Sequence, residues 1–505
     1  MAKNQIKMGA ILSYAVILVN MIVGLVYTPF LVRMLGKNEY GLFSLVSSVI
    51  SYLTVLDMGF GNAIIIYTAR YREKNLKQEQ YKLFGMFLII FSIIGVVASF
   101  IGVFLYFNTD LIFGNSMTAY EIQEAKTMMI ILTFNLAVTF PLSIFGNILT
   151  AYEEFVFNKI IKILNVVLQP LLMIPLLFMG YKSIAMVLTL TFINILCLVI
   201  NAVVCIKKIK IKFIFGNFNF PLLKEIFAYS FYIFLAEIIN KVNWSLDQFI
   251  LGAFCGTAVV AVYSVASQIN SMYLAFSTAI SGVMLPKIAK MEERGASDQE
   301  FTDEFIKTGR IQLLVMMMII TAFVLFGRYF IILWAGPEYE QAYLIACILI
   351  TPVTIPLIQN IGLSILQAKN KYRYRTTILF FIAIANVIVS IPLAINLGGV
   401  GSAIGTAMAM IVGQGILMNI YYHKKVKINI IEFWKNIIRM VIPMIPLFVV
   451  SLVIVIIFPI NSLLKFIVGV IIYLTLYVIC VWNFSMNEYE KNLINKFAKK
   501  LHLKK

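Results

Sequence analysis

The chain has 505 residues, of which 61% are hydrophobic and only 13% are charged, and its formal net charge is +18 at pH 7. Because a soluble domain carries about 25% charged residues, this composition excludes an ordinary soluble protein. Apolar runs of roughly 20 residues, the length with which a helix crosses about 30 Å of hydrocarbon, follow one another through most of the chain. The sequence therefore predicts an all-α polytopic membrane protein.

Fourteen apolar spans are predicted, and short polar segments separate them. In chain order they are 10–32, 41–67, 83–107, 127–150, 157–179, 183–205, 227–252, 258–285, 311–334, 341–367, 376–396, 399–422, 438–458 and 463–483. Spans seven and eight, 227–252 and 258–285, are the most polar of them.

Topology explains the excess of cations. Of the 41 lysine and arginine residues, 34 lie on alternate polar segments and at the two ends of the chain. Short cationic segments stay on the cytoplasmic side of a membrane, so both termini are expected inside. The charge then gives little reason to expect nucleic acid as a partner. Because the N-terminus lacks a signal-peptide pattern, the first span should be retained.

The cysteines all lie within spans or at their ends, and none has a CxxC spacing. They are Cys197, Cys205, Cys255, Cys347 and Cys480. We interpret them as small hydrophobic residues, which predicts neither a disulfide framework nor a metal site.

The first six spans recur as spans seven to twelve at a nearly constant offset. Segment 41–51 aligns with segment 261–271, and Pro175 aligns with Pro392 at almost the same spacing along the chain. Since each repeat holds an even number of spans, both enter the membrane in the same direction, and such parallel repeats enclose a central site in transporters. The predicted architecture is two parallel six-helix repeats and a C-terminal hairpin, a 6+6+2 arrangement that favours alternating-access transport.

The predicted domains follow this arrangement. They are an N-terminal six-helix bundle (1–215), a C-terminal six-helix bundle (216–425), helices 13 and 14 (426–485) and a basic cytoplasmic tail (486–505). An amphipathic cytoplasmic segment around Phe433 and Trp434 precedes the hairpin.

Span seven holds the densest group of polar residues: Glu237, Asn240, Lys241 and Asp247. A charge inside a span costs about 2.5–3.5 kcal/mol on insertion scales, so such residues usually pair or mark a functional cavity. Glu237 and Lys241 are an i,i+4 pair in the favourable order, which is compatible with mutual neutralisation. The alternative is that Lys241, near the middle of its span, stays available to an anionic substrate.

Other candidate substrate contacts lie on spans one, two, eight and nine. They are Asn20, Ser47, Ser267, Arg33 and Arg328. Serines at helical spacing have two possible roles: they allow close helix packing, or they line a cavity. The two arginines lie near the outer ends of their spans, where snorkelling to the interface is an alternative role.

Asp57 lies in the inner third of span two, before Gly59 and Gly61. Three roles are open for its carboxylate: it pairs with a cation, it caps a break in the helix, or it binds a coupling proton or sodium ion.

Enzyme activity finds little support in the sequence. The only two histidines, His423 and His502, lie in cytoplasmic segments, and no GxxxxGK[ST] phosphate loop occurs. We therefore expect no catalytic residue, no metal and no cofactor.

An ordered set of motifs resembles those of a known family. The motifs are YTPFLVR at 27–33, LDMGFGNA at 56–63, AVY at 261–263, GPEY at 336–339 and LQAKNK at 366–371. With them the chain resembles, over its full length, the Wzx-type polysaccharide and O-antigen flippases of the multidrug/oligosaccharidyl-lipid/polysaccharide exporter superfamily.

The resemblance implies a flippase of the bacterial cytoplasmic membrane. Its substrate would be an undecaprenyl-diphosphate-linked oligosaccharide of capsule, O-antigen or exopolysaccharide, moved from the inner to the outer leaflet. Membrane lipid and this glycan would be its partners, and a glycan polymerase and a chain-length regulator protein are further candidates.

Three alternatives stay open. A drug/cation antiporter of the same superfamily would share the fold, although Lys241 argues against it. A major-facilitator transporter also has parallel repeats, but segment 68–82 lacks that family's Gly…Asp-Arg…Gly pattern. The third alternative is a non-transporting membrane scaffold of a glycan-assembly complex.

Overall fold

The structure is a computed structural model that describes residues 2–216, 220–281, 284–369 and 371–502. All regular elements in these ranges are helical, and no β-strand occurs in them. Ten helical segments are long and apolar enough to cross a membrane, or eleven if the bent pair Ile430–Val441 and Met444–Ile457 forms one span, counted over the same residues. The prediction of an all-α, multi-pass membrane protein is confirmed.

The helices lie along the predicted spans, but their bounds differ from the predicted ones. Those of the first half are α1 (Ala2–Leu53), α2 (Phe60–Glu73), α3 (Lys77–Phe113), α4 (Ala119–Ala151), α5 (Phe155–Phe178), α6 (Ser183–Val204), α7 (Phe220–Phe254) and α8 (Thr257–Ser281). Those of the second half are α9 (Leu285–Glu293), α10 (Asp298–Trp334), α11 (Gln341–Ile358), α12 (Ile361–Ala368), α13 (Tyr372–Met410), α14 (Met418–Tyr421), α15 (Ile430–Val441), α16 (Met444–Ile457), α17 (Leu463–Cys480) and α18 (Glu488–His502).

Two long helices contain a sharp internal break at a glycine. Gly36 inside α1 has φ 76°, and Gly398 inside α13 has φ 59°. Glycine adopts this left-handed backbone without the steric penalty that a Cβ would add. Gly36 falls between predicted spans one and two, and Gly398 falls between spans eleven and twelve, so each of these helices covers two of the predicted spans. The count of 14 spans and the 6+6+2 arrangement stay predictions.

The chain divides into two compact units. Unit 1 comprises Met1–Ser264 and Ala394–Gly399, and unit 2 comprises Val265–Leu393 and Val400–Lys505. The predicted domain boundaries at residues 215, 425 and 485 stay predictions.

Small residues bring helices close together in unit 1. A Cβ on Gly95 would lie 2.6 Å from the carbonyl oxygen of Ala137, and a Cβ on Gly102 would lie 2.2 Å from Oγ1 of Thr133. Because glycine has no side chain, α4 approaches α3 closely at both positions, with its backbone at Gly95 and with the side chain of Thr133 at Gly102, as helices do in membranes. Fully buried phenylalanines fill the adjacent interior. They are Phe60, Phe84, Phe87 and Phe91.

Gly41 marks the closest of these approaches and gives a first prediction. A Cβ there would lie 1.9 Å from the carbonyl oxygen of Thr257. Gly41→Ala should therefore destabilise the protein by about 1–3 kcal/mol, the usual cost of overpacking, measured by unfolding in detergent. The matched control is Gly146→Ala in α4, since the nearest atom to that Cβ is Nδ2 of Asn201 at 3.7 Å. If the two variants are equally stable, α1 and the start of α8 do not touch as the structure has them.

Aromatic packing and capped helix starts organise unit 2. Ser297 caps α10 reciprocally: Glu300 N donates to Ser297 Oγ at 3.3 Å, and Ser297 N donates to Glu300 Oε2 at 2.9 Å. Two helical turns further along, the buried Phe305 packs edge-on against the buried Phe433 of α15, with ring centroids 4.9 Å apart. The amphipathic segment predicted around Phe433 and Trp434 is thus a helix whose apolar face packs on α10.

Candidate functional site

Span two is broken at the position of Asp57. Residues Thr54–Asp57 form a 3-10 turn after α1, and Met58 and Gly59 then take left-handed backbone conformations with φ 51° and 71°. Helix α2 begins at Phe60. The carboxylate of Asp57 interacts with the backbone N–H of Gly59 at the end of this break, which is compatible with capping, one of the three roles left open for it.

Helix α7 packs along α1 and the broken segment. Ser48 Oγ donates a hydrogen bond to the carbonyl oxygen of Ser245 at 3.0 Å. Further along, the rings of Phe60 and Phe227 stack edge to face, with centroids 5.0 Å apart. The polar residues of α7 therefore belong to the same packed group of helices as Asp57.

The candidate site is built on three charged side chains of α7 and the neighbouring broken segment: Asp57, Glu237 and Lys241. The carboxylates of Asp57 and Glu237 are close enough to interact electrostatically. Asp57 and Lys241 are half-buried, and Glu237 is exposed. Glu237 precedes Lys241 by four residues, so both lie on one side of α7.

Lys241 has no ionic partner among the residues that the structure describes. No nitrogen–oxygen distance of 4.0 Å or less joins it to Glu237, and its amine forms no hydrogen bond with a described residue. The ion pair that the i,i+4 spacing favours is thus absent here. Lys241 carries a half-buried charge that an anion can neutralise.

Asp247 lies in a different setting from Lys241, although both are on α7. Its side chain is 6% exposed and accepts a hydrogen bond from the hydroxyl of Tyr263 at 2.5 Å. Beside it, Gln248 Nε2 donates to Ser264 Oγ at 3.1 Å. These bonds link α7 to α8, and the geometry of Asp247 favours a structural acceptor over a contact with substrate.

The remaining candidates are dispersed. Asn20 is exposed and donates from Nδ2 to the carbonyl oxygen of Val16, one turn earlier in its own helix, at 2.8 Å. Arg33 is exposed on α1, and Ser47 is half-buried there. The side chain of Asn240 lies outside the described residues.

Two candidates belong to unit 2. Arg328 is exposed and pairs with Glu340, with Nη2 2.6 Å from Oε1. This pairing, at the end of α10, favours the interfacial role for the arginine. Ser267 is half-buried on α8.

Sequence reasoning missed the polar partners that hold these helices. The hydroxyl of Tyr263 reaches Asp247, 16 residues away. Glu39 accepts a hydrogen bond from Ser183 at 2.5 Å and forms an ion pair with Lys182 at 3.2 Å. Tyr263 belongs to the AVY motif, so its position was marked, but the motif gives no partner. Among the described residues, no group of three or more His, Cys, Asp or Glu side chains is arranged to hold a metal ion.

Comparison with known proteins gives three kinds of match. The family model described as a polysaccharide biosynthesis protein matches residues 6–292, more than half of the chain. A Shigella flexneri protein with the name "Putative O-antigen transporter" is 24% identical over 354 residues, which cover 68% of this chain and 80% of the relative.

Two solved structures are similar in fold. The lipid II flippase MurJ, in an inward closed conformation, matches with a TM-score of 0.69 and 16% identity over 94% of this chain and 97% of its own. An inward-facing multidrug resistance transporter of the MATE family matches with a TM-score of 0.59 and 16% identity over 78% of this chain and 96% of its own. A flippase and a drug transporter thus share this fold, and the fold alone does not separate the two activities.

Proposed function

Because the chain belongs to the polysaccharide biosynthesis protein family, we propose that it is a flippase for an undecaprenyl-diphosphate-linked oligosaccharide. It moves this substrate from the inner to the outer leaflet of the bacterial cytoplasmic membrane by alternating access. It acts as a transporter rather than as an enzyme, and it works beside a glycan polymerase and a chain-length regulator protein. The resemblance predicted from the sequence motifs is confirmed at the level of this family.

The observation that carries the proposal is that Lys241 on α7 has no ionic partner among the described residues. A diphosphate that crosses a medium of low dielectric constant needs a compensating cation, because charge interactions there are strong and unpaired charges costly. An unpaired lysine inside a span is itself costly, by about 2.5–3.5 kcal/mol on insertion scales. Substrate binding would relieve both costs at once. Lys241 is therefore the proposed diphosphate contact, and Ser47 and Ser267 are the proposed hydroxyl contacts for the glycan.

Asp57 and Glu237 provide a route for coupling. Two ionised carboxylates near each other repel, so a bound proton or sodium ion would relieve the repulsion between them. We assign ion coupling to Asp57, with Glu237 as its neighbour. The same acid pair is also the feature that favours the second candidate function, a drug/cation antiporter.

The backbone supports the proposed 6+6+2 arrangement. Gly36 and Gly256 have φ 76° and 86°. Gly180 and Gly398, which stand almost the same distance apart along the chain, have φ 87° and 59°. Left-handed glycines that recur at the offset of the sequence repeat are what two structurally related halves would require.

Deletion of the gene tests the proposed function against its alternatives. If the protein is a flippase, the lipid-linked oligosaccharide should accumulate in the membrane and surface glycan should disappear, because the oligosaccharide can no longer leave the inner leaflet. An antiporter instead predicts unchanged lipid-linked sugar pools and greater drug susceptibility. For a scaffold, surface glycan would be lost on deletion but restored fully by a Lys241→Ala protein.

The proposed topology places both termini in the cytoplasm. In a cysteine-free background, single cysteines at Asn115 and Asn461 should react with an impermeant maleimide in intact cells. Cysteines at Lys74, Lys208 and Lys425 should react only after the membrane is opened, because positive segments stay inside. Labelling of position 208 from outside would reverse the orientation.

A further inference from the structure

Helix α15 has one face held firmly in unit 2. The ring of Phe433 packs on Phe305, and Nε1 of Trp434 donates to Asn419 Oδ1 at 3.1 Å. Two backbone carbonyls of the helix also accept hydrogen bonds, that of Asn436 from Arg310 Nη1 at 3.3 Å and that of Met440 from Ser485 Oγ at 3.0 Å. Since the inner face is fixed by these bonds, the direction of the outer face is fixed as well.

The outer face of α15 combines isoleucines with two cations. Ile431, Ile438 and Ile442 are 71%, 54% and 57% exposed, and Lys435 and Arg439 are exposed between them at i,i+4 spacing. With Trp434 these residues line a shallow groove of about 770 Å³. A helix with large isoleucines on its exposed face, next to cations, has the composition of a helix that lies at a membrane surface.

The two cations have no counter-charge in the described part of the chain. Neither Lys435 nor Arg439 forms an ion pair or a hydrogen bond with a described residue, and Glu432, the acid of this helix, is engaged at the N-terminal cap through Asn429. The groove thus offers an apolar floor and two positive charges at its edge. A ligand that fits must have an apolar tail and an anionic head.

The groove is continuous with a surface that lipid should cover. Helix α16 follows α15 after a bend of 45° and exposes Ile445 and Val449, at 49% and 47%, beyond Ile442. An apolar stripe that runs from α16, part of a candidate span, onto α15 is expected to pass from the hydrocarbon region to the headgroup region of one leaflet. The cations of α15 then lie at the depth of the phosphates.

We infer that the outer groove of α15 binds an anionic phospholipid of the cytoplasmic leaflet, with its phosphate on Lys435 and Arg439 and an acyl chain along Ile438 and Ile442. The site differs from the proposed transport site, because it lies on α15 and carries no residue of α1, α2 or α7. It goes beyond the proposed function and does not depend on the cargo.

Photo-crosslinking tests this site in the purified full-length protein. The probe is phosphatidylglycerol with a photoreactive acyl chain in phosphatidylcholine nanodiscs, and crosslinked peptides are mapped by mass spectrometry. Wild-type protein should crosslink within residues 430–442. The double variant Lys435→Gln/Arg439→Gln should need about 30-fold more phosphatidylglycerol for half-maximal crosslinking there, because each cation near an anionic surface contributes roughly a factor of five to six.

The matched control removes two cytoplasmic charges elsewhere, with Lys424→Gln/Lys427→Gln. Both residues are exposed just before α15, and this variant should crosslink like the wild type. Equal losses in both double variants would show diffuse attraction to the membrane surface and would overturn the site. Competition by unlabelled undecaprenyl phosphate but not by phosphatidylglycerol would also overturn it, since the groove would then receive the carrier lipid.

Discussion

Replacing Lys241 by alanine should abolish export of the glycan while the protein stays in the membrane. If the lysine is the diphosphate contact, its loss removes a charge-assisted hydrogen bond worth about 1.5–3 kcal/mol, which lowers affinity on the order of 10- to 100-fold. Lys241→Arg keeps the charge in a different geometry and should retain partial export. Surface glycan, measured by glycan-specific antibody on intact cells and normalised to protein level, reports both effects.

The matched control is Lys465→Ala, which removes an exposed lysine from the start of α17 and should export normally. Normal export by Lys241→Ala at normal protein level would show that Lys241 is not the headgroup contact. Arg33 and Arg328, the two candidate arginines, would then be the next residues to test.

The buried pair of Arg310 and Glu490 should make unit 2 sensitive to the loss of either partner. The two side chains are only 6% and 3% exposed, and they form two hydrogen bonds, Nε to Oε1 at 2.6 Å and Nη2 to Oε2 at 3.0 Å. Nη2 also donates to the carbonyl oxygen of Ser485 at 2.9 Å. The pair thus links α10 to the C-terminal helix α18.

Arg310→Ala or Glu490→Ala should each cost about 3–5 kcal/mol of unfolding free energy, because the partner is left as an unpaired buried charge. The apolar double variant Arg310→Met/Glu490→Leu should lose much less, since no charge then remains buried. Denaturant titration in detergent micelles measures both. As a control, Arg294→Ala breaks the exposed pair with Glu300, leaves the cap of α10 in place and should shift the midpoint little. Equal effects of Glu490→Ala and Arg294→Ala would show that the link to α18 does not form.

Repetition and periodicity made the fold predictable. Apolar runs of membrane length give the helices directly, since a chain in lipid must bond its own backbone groups. The glycines before and after spans also identify breaks, as Gly36 and Gly398 show. The sequence does not show whether such a glycine ends a helix or only bends it. The two outcomes differ in the φ and ψ angles of one residue, and packing decides those angles.

The candidate site was predictable only in part. Polar residues in a hydrophobic segment draw attention to Lys241 and Asp247 alike, because both are costly in lipid. What distinguishes the environments of these two residues is partners on other helices, such as Tyr263 of α8 for Asp247. The link between Arg310 and Glu490 spans 180 residues and has no signature in either local sequence.

Direct translocation in a defined membrane tests the central claim most sharply. The purified protein is reconstituted into liposomes with a lipid-linked oligosaccharide placed in both leaflets, and impermeant periodate oxidises only the glycan exposed outside. Flipping predicts that the oxidised fraction rises from about half towards completion with wild-type protein and stays near half with Lys241→Ala. An oxidised fraction that stays near half with the wild-type protein, under an imposed proton or sodium gradient as well as without one, would contradict the account.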